Sequence, residues 1–276
     1  MTEAGANGAI WLASYPKSGN TWLRCLLDAY QSNGYLDINN IRTATSDGGA
    51  TIMQGVSPMP LGQLGLHGEL LLRPAALLNL FCRMRRPFYI KTHFANLTLP
   101  NMPPCIPRAF TDRAVYVLRD PRSVVMSFSK FFGFPVQAAV EAMNNKDLTI
   151  GNTPDFSRTL LSSWSNHVAS WTAEKEFPVH AVKYEDMVED TAKELTEIIE
   201  FLGWEVDASR VARAVRAAES SKLQAAEKEN GFNENPHKDR GEFFNGGGTR
   251  WKDELGPKWA KQIEGDHRAV MEPLGY

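Results

Sequence analysis

The sequence is sparing in cysteine, in charge of one sign and in long apolar runs, and each shortage excludes a class of protein. Its 276 residues include three cysteines, Cys25, Cys82 and Cys105, which cannot all pair and which form no cluster with metal-ligand spacing. A disulfide framework or a zinc module is thereby excluded, and a reducing, cytoplasmic setting is expected. Basic and acidic residues nearly balance, for a formal net charge of −2. Such a chain carries no general nucleic-acid surface, so any anion site must be a local concentration of positive charge. No apolar run reaches membrane-spanning length; residues 70–81 come nearest and are interrupted by Arg73 and Pro74. The opening MTEAGANGA has neither the basic nor the apolar region of a secretory leader. Internal repeats and low-complexity tracts are lacking too. What remains is an ordinary globular composition, expected to form a single domain over residues 1–276 with a sizeable core.

The chain is organised around residues 10–27, IWLASYPKSGNTWLRCLL. The apolar run Ile10-Trp11-Leu12-Ala13 predicts a strand, and Ser14 through Asn20 a tight loop. From Thr21, the apolar residues Trp22, Leu23, Leu26 and Leu27 fall at helical spacing. A loop between a strand and a helix N-terminus gathers backbone N–H groups and partial positive charge at one spot. Lys17 adds a full charge, Ser18 and Thr21 add hydroxyls, and Gly19 lets the backbone come close. The ligand that suits this set is a phosphate-like dianion. The loop is not a Walker A motif, because its lysine precedes its only glycine.

Further along, residues 31–60 are rich in Gly, Asn, Ser and Thr and predict a loop or a mobile segment. Residues 61–86 predict helix, with Pro74 starting or breaking it and Arg83, Arg85 and Arg86 at its end. Phe88–Tyr89–Ile90 predicts a short strand running into Lys91 and His93. Ligands of open α/β sheets sit beyond the carboxyl ends of strands. A histidine there, two residues from a lysine, is a candidate base, since imidazole titrates near pH 6.5. Residues 114–118, AVYVL, have the look of a buried parallel strand. They lead through Arg119 and Asp120, a candidate N-cap, into a helix that carries Ser127. Arg119 is open to two readings, an anion ligand or a structural partner of Asp120. Residues 132–158 predict irregular loop. In residues 159–175, Leu161, Trp164, Val168 and Trp171 predict a buried helix face, with His167 structural. Residues 179–182 predict a strand, Glu185 and Asp186 an acidic helix start, and Gly203 the end of the next helix. Residues 208–229 predict one or two further helices, and 251–276 a terminal one.

YPKSGNTW, KTH, VLRDPRSVVMSFSKFF, KYEDM and WKDEL, in this order, resemble the cytosolic-type sulfotransferases. These use 3′-phosphoadenosine 5′-phosphosulfate (PAPS) and release 3′-phosphoadenosine 5′-phosphate (PAP). The likeness is to a small-molecule member of bacterial type. It implies a P-loop-like, three-layer α/β fold, with a central, mainly parallel sheet of about five strands flanked by helices. By this resemblance Lys17, Ser18, Gly19, Asn20 and Thr21 hold the 5′-phosphosulfate, Trp22 and Tyr184 meet the adenine, and Arg119 and Ser127 bind the 3′-phosphate. His93 is the base, with Lys91 beside it, and Lys17 is also catalytic. No metal is implied. Relatives carry Arg-Lys-Gly about where Phe244-Asn245-Gly246 falls here; Lys238, Arg240 or Arg250 are the alternatives for that charge. They also place a Thr or Ser and an aromatic near residues 218–223, where this chain has Ser220, Ser221 and Leu223. The dimer motif of many animal relatives is missing. Acceptor specificity is expected in residues 31–88 and 131–158, whose phenylalanines favour a partly apolar small molecule. Two rivals stand beside this reading: a P-loop kinase, which lacks its Gly-Lys-Ser/Thr here, and a non-catalytic binding module, which has no use for a base.

Overall fold

The first strand, β1 (Ala9–Ser14), is buried at every residue, as a strand inside a parallel sheet covered on both faces must be. The structure is a computed structural model and describes residues 8–84, 87–173, 176–235, 241–244 and 251–276. Four more strands complete the sheet: β2 (Thr45–Ser46), β3 (Phe88–Thr92), β4 (Thr111–Leu118) and, beyond a separate antiparallel pair β5 (Thr149–Ile150) and β6 (Thr159–Leu160), β7 (Val179–Lys183). Their order is β2-β3-β1-β4-β7. β3 runs parallel to both its neighbours, with Ile10 against Tyr89 and Trp11 against Ile90. Helices supply the connections: α1 (Asn20–Gln31), α2 (Ala50–Gln54), α3 (Leu61–Phe81), α4 (Pro121–Phe132), α5 (Val136–Asn144), α6 (Trp164–Thr172) and α7 (Tyr184–Glu189). After β7 the described chain is helical: α8 (Thr191–Leu202), α9 (Ala208–Ala217), α10 (Ser220–Asn230), α11 (Trp251–Glu254) and α12 (Pro257–Met271). This is the α/β fold with a five-stranded parallel sheet that the sequence implied.

The chain divides into two compact units. The first runs to Tyr15 and takes in Ala44–Tyr116 and Ala142–Ala181. Its core is built on β1, where the Trp11 indole donates to Thr111 Oγ1 at 2.9 Å. On α6 the Trp171 indole donates to the Phe94 carbonyl at 3.0 Å and its ring stacks on Tyr116. Trp164 and Trp171 are fully buried, and burying a large apolar side chain contributes roughly 1.5–3 kcal/mol. The second unit is Pro16–Thr43, Val117–Glu141 and Val182–Tyr276. Side-chain caps start its helices: Asp120 accepts from the Arg122 N–H at the head of α4, and Asp190 from the Lys193 N–H at the head of α8. Gly203, at φ 76, closes α8 as expected.

Several local expectations change. Residues 31–60 contain α2 and β2 as well as loop. The break in α3 falls at Gly65 (φ 64, ψ 176), not at Pro74, which lies inside the helix; a proline there forfeits one backbone hydrogen bond, and the buried Leu70, Ala76, Leu77 and Leu80 around it outweigh that. Residues 132–158 are not all loop. Ala139, Val140 and Met143 bury one side of α5, although Gly133 and Pro135 just before it gave a turn signal. Arg85, Arg86, Lys238, Arg240 and Arg250 lie outside the described residues.

Candidate active site

In the second unit, the loop after β1 turns through two left-handed positions, Lys17 at φ 68 and Gly19 at φ 106. A non-glycine residue held there costs about 1 kcal/mol. At Gly19 no other residue fits, because an added Cβ would lie 2.5 Å from Cδ2 of Tyr184. Arg119, at the end of β4, ties the loop down. Its Nη1 donates to the Lys17 carbonyl at 3.1 Å, and its guanidinium lies 4.4 Å from the centroid of the Tyr184 ring. Tyr184 also meets the edge of Trp22 at 5.5 Å, and the Trp22 indole donates to the Ala218 carbonyl at 2.9 Å. Gly19, Trp22, Arg119 and Tyr184, singled out separately in the sequence, thus form one cluster. Burial pushes the Tyr184 phenol up, against the pull of Arg119.

Two donors in this cluster are incomplete. The Ser18 hydroxyl and Nε of Arg119 are buried and have no hydrogen-bond partner among the described residues. A buried polar group left so costs about 1–3 kcal/mol, so each calls for a partner that a bound anion or a water can supply. The ammonium of Lys17 lies 3.7 Å from the centroid of the Phe243 ring and 4.3 Å from that of Phe131. Hydroxyl, guanidinium and ammonium are the donor types that suit phosphate-like groups. Asn20 and Thr21 open α1 and are buried. Ser127, half-buried on α4, and Ser220, exposed at the head of α10, make no side-chain hydrogen bond to the loop among the described residues.

Asp120 has a different partner from the one weighed in the sequence. Arg122, not Arg119, pairs with it at 2.8 Å, and Arg122 also reaches Glu264 at 2.6 Å. Glu185, in the first turn of α7, accepts from the Asp120 N–H and from the Tyr276 hydroxyl, and burial pushes its carboxyl up. Both acidic residues are therefore structural.

In the first unit, His93 follows the end of β3, and Lys91 is half-buried within that strand. Nδ1 of His93 lies 2.8 Å from the Ser14 carbonyl oxygen and 3.3 Å from the Ser14 hydroxyl. A carbonyl only accepts, so Nδ1 carries a proton, and in the neutral imidazole Nε2 then carries the lone pair. This is the tautomer a proton acceptor at Nε2 needs. His167 is fully buried, and desolvation lowers its pKa to about 4. Its Nε2 faces the His93 carbonyl oxygen at 3.1 Å and its Nδ1 the Tyr116 hydroxyl at 2.9 Å. His167 reads as structural in the sequence, which holds no sign that it meets His93.

No single described helix is long and apolar enough to cross a membrane. The chain belongs to the sulfotransferase domain family, whose model matches residues 7–275. Among named relatives, sulfotransferase 1B1 of Canis lupus familiaris is 27% identical over 203 residues, covering 70% of this chain and 58% of the relative. The chain spans less than two thirds of the length of the curated relatives it matches first. Its fold is shared by solved structures, among them two bound to PAP. Mouse sulfotransferase SULT7A1 complexed with PAP has a TM-score of 0.61 and 23% identity, covering 96% of this chain and 85% of that one. Retinol dehydratase, in complex with androsterone and inactive cofactor PAP, has a TM-score of 0.63 and 18% identity, covering 95% and 80%.

Proposed function

We propose that the protein transfers a sulfuryl group from PAPS to a hydroxyl, or an amine, of a partly apolar small-molecule acceptor, with His93 as base. The observation that carries this reading is the incomplete donor set, the buried Ser18 hydroxyl and Arg119 Nε beside a lysine-bearing loop whose glycine leaves no room for a Cβ. Family membership and the PAP named in both structural neighbours support the same ligand. PAPS supplies an activated sulfuryl group whose leaving group is a phosphate. Lys17, Ser18, Gly19, Asn20 and Thr21 hold its 5′ end; Trp22 and Tyr184 meet the adenine; Arg119 and Ser127 take the 3′-phosphate. Ser220, with Arg240 or Arg250, completes the assignment.

His93 accepts the acceptor's proton at Nε2 while its Nδ1–H stays on the Ser14 carbonyl. A placed base of this kind supplies roughly 10²–10⁴-fold in rate. Lys17 and the head of α1 stabilise the charge that develops on the departing phosphate, with no metal required of the protein. Residues 31–88 and 131–158 select the acceptor within one catalytic domain of a small-molecule enzyme acting in the cytoplasm, away from nucleic acid. Androsterone and retinol, named with a structural neighbour, are apolar small molecules that suit such a site. The kinase and binding-module readings are less well supported, because neither draws on the His93 tautomer. Incubation with ³⁵S-labelled PAPS and a panel of phenols, alcohols and amines tests the proposal: label is expected on at least one acceptor class, and no transfer to any of them by protein that binds PAP would refute it.

A further inference from the structure

We infer that His167 is a positioning residue for His93: directed hydrogen bonds from Tyr116 to His167 and from His167 to the His93 carbonyl hold the His93 backbone where the Ser14 carbonyl fixes the tautomer of its ring. The inference rests on the reading of His93 as base.

The direction of each hydrogen bond follows from which atoms can donate. Nε2 of His167 faces the His93 carbonyl oxygen at 3.1 Å, so Nε2 must carry the proton. Its Nδ1 must then accept, and the Tyr116 hydroxyl, 2.9 Å away, must donate to it. The Ser14 carbonyl faces Nδ1 of His93 at 2.8 Å. The links therefore run one way: Tyr116 to His167, His167 to the His93 carbonyl, and the His93 ring N–H to the Ser14 carbonyl. Reversing any of them sets two donors or two acceptors face to face.

His167 and Tyr116 are both fully buried, and burial keeps the His167 imidazole neutral near pH 7. A charged His167 would carry protons on both nitrogens and break the link to Tyr116. Hydrogen bonds in series polarise one another in a low-dielectric interior. The His93 backbone is thus held by one histidine and its ring by the Ser14 carbonyl. A base on a loop after a strand would otherwise rotate about its side-chain torsions and exchange tautomers. Tyr15 and Pro16 are all that join Ser14 to Lys17, so the peptide that orients the proposed base leads directly into the proposed anion loop.

The test is ¹⁵N NMR of histidine-labelled protein together with steady-state kinetics, for the wild type, His167→Phe, His167→Gln and Tyr116→Phe. In the wild type, His93 should show a single neutral tautomer with its proton on Nδ1. His167→Phe should give a mixture of tautomers and lower kcat about tenfold or more, with PAP affinity within about twofold of wild type because the anion loop's side chains are untouched. His167→Gln, which still presents an N–H to the His93 carbonyl, should recover most of both signals. If His167→Phe fails to fold, Tyr116→Phe carries the test, with the same direction and a smaller size. A folded variant that keeps the wild-type tautomer, or that mixes tautomers at unchanged kcat, would overturn the inference. Should the wild type transfer no sulfuryl group, the proposed function fails, and the tautomer measurement still decides whether His167 positions His93.

Discussion

Arg119 grips the backbone of the loop it serves: its Nη1 donates to the carbonyl oxygen of Lys17 at 3.1 Å while its guanidinium lies 4.4 Å from the Tyr184 ring centroid. One side chain therefore sets the course of the anion loop and also offers a buried Nε with no partner among the described residues. Arg119→Ala should weaken PAP binding about 10- to 100-fold, the size of a charge-assisted contact worth 1.5–3 kcal/mol. Arg119→Lys should recover little of it, since lysine keeps the charge but loses the planar fork and the ring contact. Calorimetric titration with PAP measures both, and full affinity in Arg119→Lys would remove the fork from the account.

Gly19→Ala should be more damaging than its size implies. The new Cβ would meet Tyr184 at 2.5 Å, and the backbone sits at φ 106. Relief by moving Tyr184 would also disturb its contacts with Trp22 and Arg119. We expect a loss of about 1–3 kcal/mol in stability from strain alone, together with weaker PAP binding. Thermal denaturation and titration check the two separately, and a variant equal to wild type in both would contradict the geometry.

His93→Ala separates chemistry from binding. It should lower kcat by about 10²–10⁴-fold while PAP affinity stays near wild type. Normal turnover would disprove the base assignment, whereas equal losses in binding and turnover would mean that His93 shapes the site instead.

Much of this was legible in the sequence because the cues are local. The run from Ile10 to Ala13, the turn residues and the helical spacing after Thr21 specify β1, the loop and α1 without distant partners. The same holds for β4, for Asp120 as a cap and for Gly203. The short strands β2, β5 and β6 were not legible, since two residues leave no periodicity. α5 was hidden by Gly133 and Pro135 just ahead of it. The bend in α3 was placed near Pro74 because proline is the stronger sequence signal, yet Gly65 takes the non-helical conformation. The hydrogen bonds around His93 and His167 could not be read at all. Residues 14, 93, 116 and 167 meet only once three strands and a helix are assembled, and no spacing encodes that.

Two buried histidines make stability depend on pH. His167 and His267 have pKa values lowered by burial to about 4. In the unfolded chain each returns to about 6.5. The unfolded state then binds more protons between these values, so their contribution is complete above about pH 6.5 and declines as pH falls toward 4. Each histidine should cost about 1.4 kcal/mol per pH unit across that window. Thermal denaturation at pH 7.5, 6 and 5 should show a falling midpoint. His167→Gln, which removes one of the two groups, should make the fall shallower. A midpoint that is constant from pH 7.5 to 5 would contradict the burial of both as neutral imidazoles.

The central claim is that the loop from Lys17 to Thr21, with Arg119, is a site for PAPS. Calorimetric titration of the purified protein with PAP, set against ATP with and without Mg²⁺, tests it most directly. The account predicts saturable, Mg²⁺-independent binding of PAP that is much tighter than that of ATP and is weakened about 10- to 100-fold in Arg119→Ala. Preference for Mg–ATP would contradict it and favour a kinase, and binding of neither nucleotide would contradict it as well.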